Sequence, residues 1–254
     1  MFGGSPLNRL SWLRTSHNFL NAATALPQSK WILFNAGQPL VISSPNISNN
    51  RPQPGCLTTS ELAPLLGPQP YFGQGQGIGT TISDEINSVR HSPTEAARHY
   101  PQSRPIVFLG VHEKHPNADV SSALPATEFS SPESTAVAIK KLDGTPYFAM
   151  EVAHFIQDGQ YTDQGLLDIF KENNQEKEEK IFSWSEPRVL LSGLDHFTAA
   201  IFASAKSMTD WSFRHKFCPG CGSSTYSMWG GWKISCSTLL PWADNTGKRP
   251  CPSG

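Results

Sequence analysis

Charged side chains are scarce in this chain. Asp, Glu, Lys and Arg make up 16% of its 254 residues and nearly cancel, leaving a formal net charge of −1. This balance excludes a globally basic nucleic-acid binder and an acidic tail. The apolar runs are short as well: residues 106–111 form one of them, far below the roughly 18 residues that a membrane-spanning helix needs. The N-terminal residues lack the apolar core of a secretion signal, so we expect an intracellular protein.

The length is that of one or two domains with a substantial core, to which 14 Phe and 7 Trp contribute. The 20 glycines and 21 prolines predict long loops. The apolar spacing in residues 7–20 indicates a short helix. Compact apolar segments predict strands at residues 31–34, 40–42, 106–111 and 147–152.

The clearest predicted element is an amphipathic helix of about 20 residues. Ser192 and Asp195 form a capping-box pattern at its start. Apolar side chains then recur at spacings of three and four, which place them on one helical face: Leu194, Phe197, Ile201, Ala205, Met208 and Trp211. This helix leads directly into a cluster of cysteines.

Four of the five cysteines lie in the last 37 residues, at Cys218, Cys221, Cys236 and Cys251, whereas Cys56 stands alone. Such clustering favours metal binding over a disulfide framework. Cys218-Pro-Gly-Cys221 has the form of a zinc knuckle, and the two later cysteines supply the remaining ligands of a tetrahedral structural Zn²⁺. A closed site of this kind contributes folding energy and no catalysis.

Local details accompany this prediction. The glycines of the knuckle, Gly220 and Gly222, allow a tight turn whose N–H groups donate to the sulfurs. A hairpin with strands at residues 224–229 and 232–235 spans the gap to the third cysteine. Two other interpretations remain open: a redox-active Cys-x-x-Cys dithiol, and His215 as the fourth ligand in place of Cys251.

The segment from Trp211 through Cys218-Pro-Gly-Cys221-Gly222 and Gly231-Trp232-Lys233 to Cys236 resembles the zinc ribbon of the NADH pyrophosphatase family. These Nudix hydrolases split NAD(H) into nicotinamide mononucleotide and AMP. Weaker matches resemble the family's N-terminal Nudix-like domain, and they lie at residues 7–14, 34, 39–40, 108–110 and 147–149. The long insertion before Cys251 is similar to the fungal branch.

The resemblance implies an α+β fold with three parts: a mixed Nudix-like N-terminal domain over residues 1–190, a connecting helix over 191–213 and a zinc ribbon over 214–254. It implies Cys218, Cys221, Cys236 and Cys251 as ligands of a structural Zn²⁺. It also implies a homodimer in the cytoplasm or the peroxisome. NAD(H) and the Mg²⁺ or Mn²⁺ ions would be bound only by a catalytic domain.

The sequence differs from the family in that it lacks this catalytic domain. Its Nudix box needs an Arg-Glu pair amid further glutamates that bind the metal ions. None of the nine arginines here precedes a glutamate, and the chain stops three residues after Cys251, where that domain would begin. No catalytic residue can therefore be assigned. The resemblance implies that this chain is the N-terminal and zinc-ribbon portion of a NAD(H) diphosphatase. Its role would be structural and dimerising, and the chain by itself would have no hydrolase activity.

A second hypothesis is a zinc-ribbon module that binds nucleic acid or protein. Trp229 and Trp232 are candidates for stacking on bases, although filling the core of the ribbon is the simpler role. Basic residues cluster in sequence near the cysteines: Arg214, His215, Lys216, Lys233, Lys248 and Arg249.

A third hypothesis is an independent enzyme with its own metal cluster at His112, Glu113, His115 and Asp119. The polar, Pro-containing surroundings favour an exposed loop instead. Glu151 and His154 have the spacing of some helical metal pairs, but the expected strand places them on opposite faces.

Overall fold

A computed structural model describes residues 6–43, 52–73, 84–88, 92–99, 106–114, 132–174, 180–246 and 251. The strands of the described residues are β1 (Lys30–Asn35), β2 (Gln38–Ser43), β3 (Gln53–Pro54), β4 (Cys56–Thr58), β5 (Ile106–Glu113), β6 (Gly144–Glu151), β7 (Ile181–Trp184), β8 (Thr225–Met228) and β9 (Lys233–Cys236). The α-helices are α1 (His17–Thr24), α2 (Thr59–Leu66), α3 (Asp84–Ser88), α4 (Pro93–His99), α5 (Pro132–Lys140), α6 (Ala153–Gln157), α7 (Asp163–Glu172), α8 (Pro187–Leu191) and α9 (His196–Arg214). Short 3₁₀ turns occupy Leu13–Thr15, Trp229–Gly231 and Ser237–Leu239. Across this part of the chain, no helix combines the length and apolarity that crossing a membrane requires.

Seven strands form one mixed sheet, and β8 and β9 form a separate ribbon. β1 runs parallel to β6, which pairs antiparallel with β5. β1 and β2 form a hairpin that pairs only next to its turn, at Phe34↔Pro39 and Asn35↔Gln38. Beyond that point the two strands separate, so that β4 pairs with β1 while β3 and β7 pair with β2.

Residues 31–34 of β1 and 106–109 of β5 are all apolar because both faces of the sheet are covered. Along β1, Trp31 and Leu33 join one core cluster, and the alternate residues Ile32 and Phe34 join the other. The first cluster includes apolar residues of α1, α2 and α7. The second receives Ile201 and other side chains of α9, which contacts β1, β5 and β6. The α+β class inferred from the sequence is confirmed, with the long helix on one face of the sheet.

Both predicted helix starts differ from those observed. In the N-terminal segment, Asn8 forms an antiparallel bridge with Val111 of β5, so this part of residues 7–20 is extended and α1 begins at His17 with Ser16 as its N-cap. The long helix begins at His196 rather than near Ser192. Its N-cap is Asp195, whose carboxylate accepts hydrogen bonds from the backbone N–H (2.9 Å) and hydroxyl (2.7 Å) of Thr198.

Candidate metal centre

The four clustered cysteines meet at one end of the ribbon. Their sulfur atoms all lie within 4.8 Å of one another. The distance between the Sγ atoms of Cys218 and Cys251 is 3.5 Å, and that between Cys221 and Cys236 is 3.4 Å. A disulfide would place two sulfurs about 2.05 Å apart. A tetrahedral zinc site with Zn–S bonds of about 2.3 Å spaces its sulfurs about 3.8 Å apart, so this arrangement can hold a metal ion.

The knuckle closes through the backbone of Cys218. Its N–H donates to the Ser223 carbonyl at 2.7 Å, and its carbonyl accepts from the Gly222 N–H at 2.8 Å. Gly222 has φ +73°, a conformation that glycine adopts at no steric cost. Its N–H is therefore used within the turn and does not serve a sulfur as expected. Ser223 takes that role: its hydroxyl and backbone N–H donate to Cys221 and lower the pKa of this thiol to about 6.

Thr238 links the two later cysteines, a contact that the sequence did not reveal. Its hydroxyl oxygen accepts a hydrogen bond from the N–H of Cys251 at 3.1 Å and lies 3.1 Å from the sulfur of Cys236. Because that oxygen already accepts from Cys251, its proton is available to the Cys236 sulfur. Burial raises the pKa of Cys236 to about 11, and the Thr238 hydroxyl acts in the opposite direction. Such hydrogen bonds orient ligands and spread thiolate charge around a metal.

The two alternative interpretations fit this geometry less well. His215 is outside the cysteine group; its Nδ1 lies 2.7 Å from the carbonyl oxygen of Trp211, one turn earlier in α9. The knuckle cysteines do not begin a helix, as a low-pKa redox dithiol does, because the Thr225–Met228 strand follows them. Each knuckle cysteine instead lies close to one of the later cysteines, Cys251 or Cys236.

The ribbon is packed on the sheet through the turn between its strands. An added Cβ on Gly231 would lie 2.8 Å from the carbonyl oxygen of Ile106 and 2.8 Å from Cα of Val107. The indole N–H of Trp232 donates to the Phe108 carbonyl at 2.6 Å. Gly231 and Trp232 thus place the ribbon that carries the cysteines directly against β5.

Two arginines of the N-terminal segment complete this contact. The guanidinium carbon of Arg14 lies 3.9 Å from the centroid of the Trp232 ring, and that of Arg9 lies 5.1 Å away. Burial, with a smaller contribution from Arg9, lowers the pKa of Arg14 to about 10, so it remains protonated at neutral pH. Trp232 is therefore committed to a cation–π and hydrogen-bonded contact inside the protein.

A second tryptophan, Trp242, lies in the loop before Cys251 and contacts α4. Trp242 is fully buried, and its indole N–H donates to the carbonyl of Ala96 in α4 at 2.9 Å. Its ring meets Tyr226 of β8 edge-on, with the centroids 5.7 Å apart. The part of this loop that the structure describes, which includes Trp242, is thus packed against α4.

The other candidate clusters do not form metal sites among the described residues. His112 is exposed, and Glu113 accepts a hydrogen bond from the Asn8 amide at 2.8 Å. His115 and Asp119, the other members of that hypothesis, lie outside the described residues. Glu151 ends β6 and His154 lies in α6, so they do not share one helix.

Glu151 has a structural role instead. Its side chain is buried, and its two oxygens accept hydrogen bonds from the backbone N–H groups of Ala36 (2.8 Å), Gly37 (3.0 Å) and Ala153 (3.0 Å). Burial raises the pKa of this carboxyl; the three N–H groups act against that shift, and the nearby Asp210 adds to it. The carboxyl group therefore holds the β1–β2 turn against the end of β6.

A two-faced mixed sheet followed by a ribbon with four gathered cysteines defines an α+β protein with a cysteine cluster that could hold a metal ion. A family model described as an NADH pyrophosphatase-like rudimentary NUDIX domain matches residues 28–211. This match covers more than half of the sequence, and the chain belongs to that family. The resemblance identified from the sequence is confirmed.

Fungal and human proteins are among its relatives. The NAD-capped RNA hydrolase of Schizosaccharomyces pombe is 26% identical over 99% of this chain and 52% of its own length. The NAD-capped RNA hydrolase NPY1 of Saccharomyces cerevisiae is 26% identical over 93% of this chain and 50% of its own length. The human NAD-capped RNA hydrolase NUDT12 is 32% identical over 35% of this chain and 17% of its own length. The chain thus spans about half the length of the fungal relatives.

Proposed function

We propose that this chain forms the non-catalytic half of a NAD(H) diphosphatase that acts on free or RNA-linked NAD(H). In this role the Nudix-like domain and the ribbon form a zinc-stabilised support that positions a hydrolase domain. The observation that carries the proposal is the gathered set of Cys218, Cys221, Cys236 and Cys251 on a ribbon packed against the sheet. The substrate class is proposed from the relatives, which are NAD-capped RNA hydrolases.

The donor set supports zinc as the metal. Four thiolates with sulfur spacings of 3.4 and 3.5 Å suit a tetrahedral, soft-ligand ion. Four protein ligands leave no position for water, so the bound ion would hold the ribbon together without taking part in hydrolysis. The Ser223 and Thr238 contacts supply the surrounding hydrogen bonds that such thiolates need.

In this proposal, hydrolysis is carried out by a Nudix domain whose residues are not among the 254 of this sequence. The glutamates and arginine of a Nudix box are absent from the 254 residues, so the Mg²⁺ or Mn²⁺ ions and NAD(H) belong to a hydrolase domain in this proposal. The boundaries near residues 190 and 213 remain a prediction, which limited proteolysis of the zinc-loaded chain tests directly.

The central experiment measures zinc and turnover on the same preparation. We expect one zinc per chain by elemental analysis, and no release of AMP from NADH when Mg²⁺ or Mn²⁺ is added. Removal of zinc with a chelator should lower the unfolding temperature of the whole chain, because the ribbon packs on β5 and α4. Metal-dependent release of AMP by the pure chain would overturn the assignment, and so would a full-length fold without bound zinc.

We also propose a homodimer, which the family resemblance implies. Val189 and Leu191 of α8 are 57% and 52% exposed and offer an apolar surface for self-association. Light scattering during size-exclusion chromatography should give twice the chain mass of 27.8 kDa. Val189→Asp with Leu191→Asp should restore the monomer mass, and a wild-type monomer at every concentration would contradict this part of the proposal.

A further inference from the structure

Charge is distributed unevenly along the chain. Residues 211–254 contain five of the 20 Lys and Arg residues but only one of the 21 Asp and Glu residues, Asp244. The preceding residues carry an excess of acids. A Zn²⁺ bound by four thiolates adds two negative charges, which still leaves the C-terminal part positive. Such asymmetry points to a polyanionic partner for the ribbon.

The exposed part of this charge lies where α9 leads into the knuckle. Arg214, His215, Lys216 and Phe217, here named the basic strip, are four consecutive exposed residues. Among the described residues, no carboxylate lies within 4.0 Å of either cation in this strip, whereas Lys206 pairs with Asp210 two turns earlier. These cations are therefore available to phosphate groups.

The chain is extended where the strip joins the ribbon. Thr225 of β8 donates from its backbone N–H to the carbonyl of Lys216 at 3.0 Å and from its hydroxyl to the carbonyl of His215 at 2.5 Å, and Phe217 bridges to Ser224. These bonds fix the backbone of the strip to the ribbon, and so to the metal site.

Phe217 is the exposed aromatic ring of the strip. It is 66% exposed, the most exposed of the large apolar side chains among the described residues. Trp229 and Trp232, the other aromatic candidates for stacking on bases, already have partners within the protein: Trp232 contacts Arg14 and the Phe108 carbonyl, and the ammonium group of Lys233 lies 4.9 Å from the Trp229 ring. Among the described residues, Phe217 takes part in no ring–ring or cation–π contact.

We propose that the basic strip binds single-stranded RNA, with Arg214 and Lys216 on phosphates and Phe217 stacked on a base. Two cations beside an exposed ring provide the two contacts that single strands use without sequence preference, namely charge and stacking. The choice of RNA over other polyanions rests on the proposed function, in which NAD(H) attached to RNA is one of the two forms of substrate. Lys248 and Arg249, the other cations of the nucleic-acid hypothesis, lie outside the described residues.

The test uses the full zinc-loaded chain and a fluorescein-labelled, unstructured 20-nucleotide RNA without a cap. Fluorescence anisotropy is measured over a series of KCl concentrations. Each phosphate contact in a single strand contributes about −0.7 to the slope of log K against log salt, so Arg214→Gln with Lys216→Gln should reduce the slope by about 1.4. The ammonium nitrogen of Lys216 lies 4.2 Å from the centroid of the Phe213 ring, so the double substitution also removes this exposed cation–π contact.

Phe217→Ala should act differently: it should weaken binding about 5- to 150-fold, the range expected for one stacked base, while leaving the salt slope unchanged. Two matched controls remove exposed side chains elsewhere: Lys141→Gln with Lys171→Gln for charge, and Val137→Ala, at a residue that is 51% exposed, for apolar surface. These should leave both the affinity and the slope at the wild-type values.

Three results would overturn the inference: no RNA binding by the wild type, equal losses in the controls, or a slope unaffected by the double substitution. Equal competition by an acidic peptide of matched charge would also overturn it and would indicate an acidic protein surface as the partner. Ultraviolet cross-linking of wild-type chain to the RNA, mapped by mass spectrometry, needs no variant and should place the cross-link at Phe217. Zinc content measured on the same samples separates a failure of this inference from a failure of the proposed function.

Discussion

Because the ribbon packs closely on the sheet, we expect Gly231→Ala, which adds a single methyl group, to lower the free energy of unfolding substantially. Gly231 has φ +90°, which costs an alanine about 1–2 kcal/mol, partly offset by the lower entropy of the unfolded alanine chain. The new Cβ would also lie 2.8 Å from the Ile106 oxygen, 2.8 Å from Cα of Val107 and 2.9 Å from its Cγ2. Two of these atoms belong to the backbone of β5, so the contact cannot be relieved by a side-chain rotation. Overpacking of this kind costs about 1–3 kcal/mol more.

Gly159→Ala provides the matched control. Gly159 has φ +72°, and an added Cβ there would meet nothing within 4 Å. This variant therefore carries only the conformational cost of a positive φ, and its free energy of unfolding should fall by about 1 kcal/mol or less. The difference between the two variants isolates the close approach of the ribbon to β5.

Urea unfolding of the zinc-loaded chains measures that difference. We expect the free energy of unfolding of Gly231→Ala to fall by about 2–4 kcal/mol. We also expect this variant to release its zinc to a chromogenic chelator faster than the control does. If the two variants have the same free energy of unfolding, the ribbon does not rest on β5 as described, and the proposal that zinc supports the whole chain loses its mechanical basis.

Three further predictions concern individual contacts. Trp232→Phe keeps an aromatic ring but leaves the buried Phe108 carbonyl without its donor, which should cost about 1–3 kcal/mol in urea unfolding. Cys251→Ser should lower zinc affinity at least tenfold in chelator competition, whereas Cys56→Ser, outside the cluster, should not change it. Glu151 has a folded-state pKa above its ordinary value of 4.5, so the folded state holds this proton more tightly than the unfolded state does. Its contribution to stability therefore declines as the pH rises from about 4.5, and Glu151→Gln should lack this decline.

Exposed residues of the same types serve as controls for these variants. Trp12 is 40% exposed, and Trp12→Phe should leave the free energy of unfolding within about 0.5 kcal/mol of wild type. Glu172 is exposed at the end of α7, and Glu172→Gln should leave the free energy of unfolding at neutral pH within about 0.5 kcal/mol of wild type. Equal effects in a variant and its control would show that the named contact is not the cause.

Local patterns allowed much of the fold to be predicted. The strands around residues 31–34, 106–111 and 147–152 and the hairpin of the ribbon appear as expected, because apolar β-branched and aromatic runs and a Gly-Gly turn act over short distances. The starts of α1 and α9 were predicted too early. An extended segment that pairs Asn8 with Val111, more than 100 residues away, cannot be read from local spacing.

The amino-acid sequence by itself determined the family and the residue types of the candidate metal site, because the four cysteines and their spacing follow directly from the order of residues along the chain. Only the tertiary structure decided how those ligands are supported. Ser223 and Thr238 serve the sulfurs, Gly231 and Trp232 pack the ribbon on β5, and Phe217 stays exposed. The physical reason is that hydrogen bonds, close backbone approach and exposure depend on which distant residues become neighbours after the chain has folded.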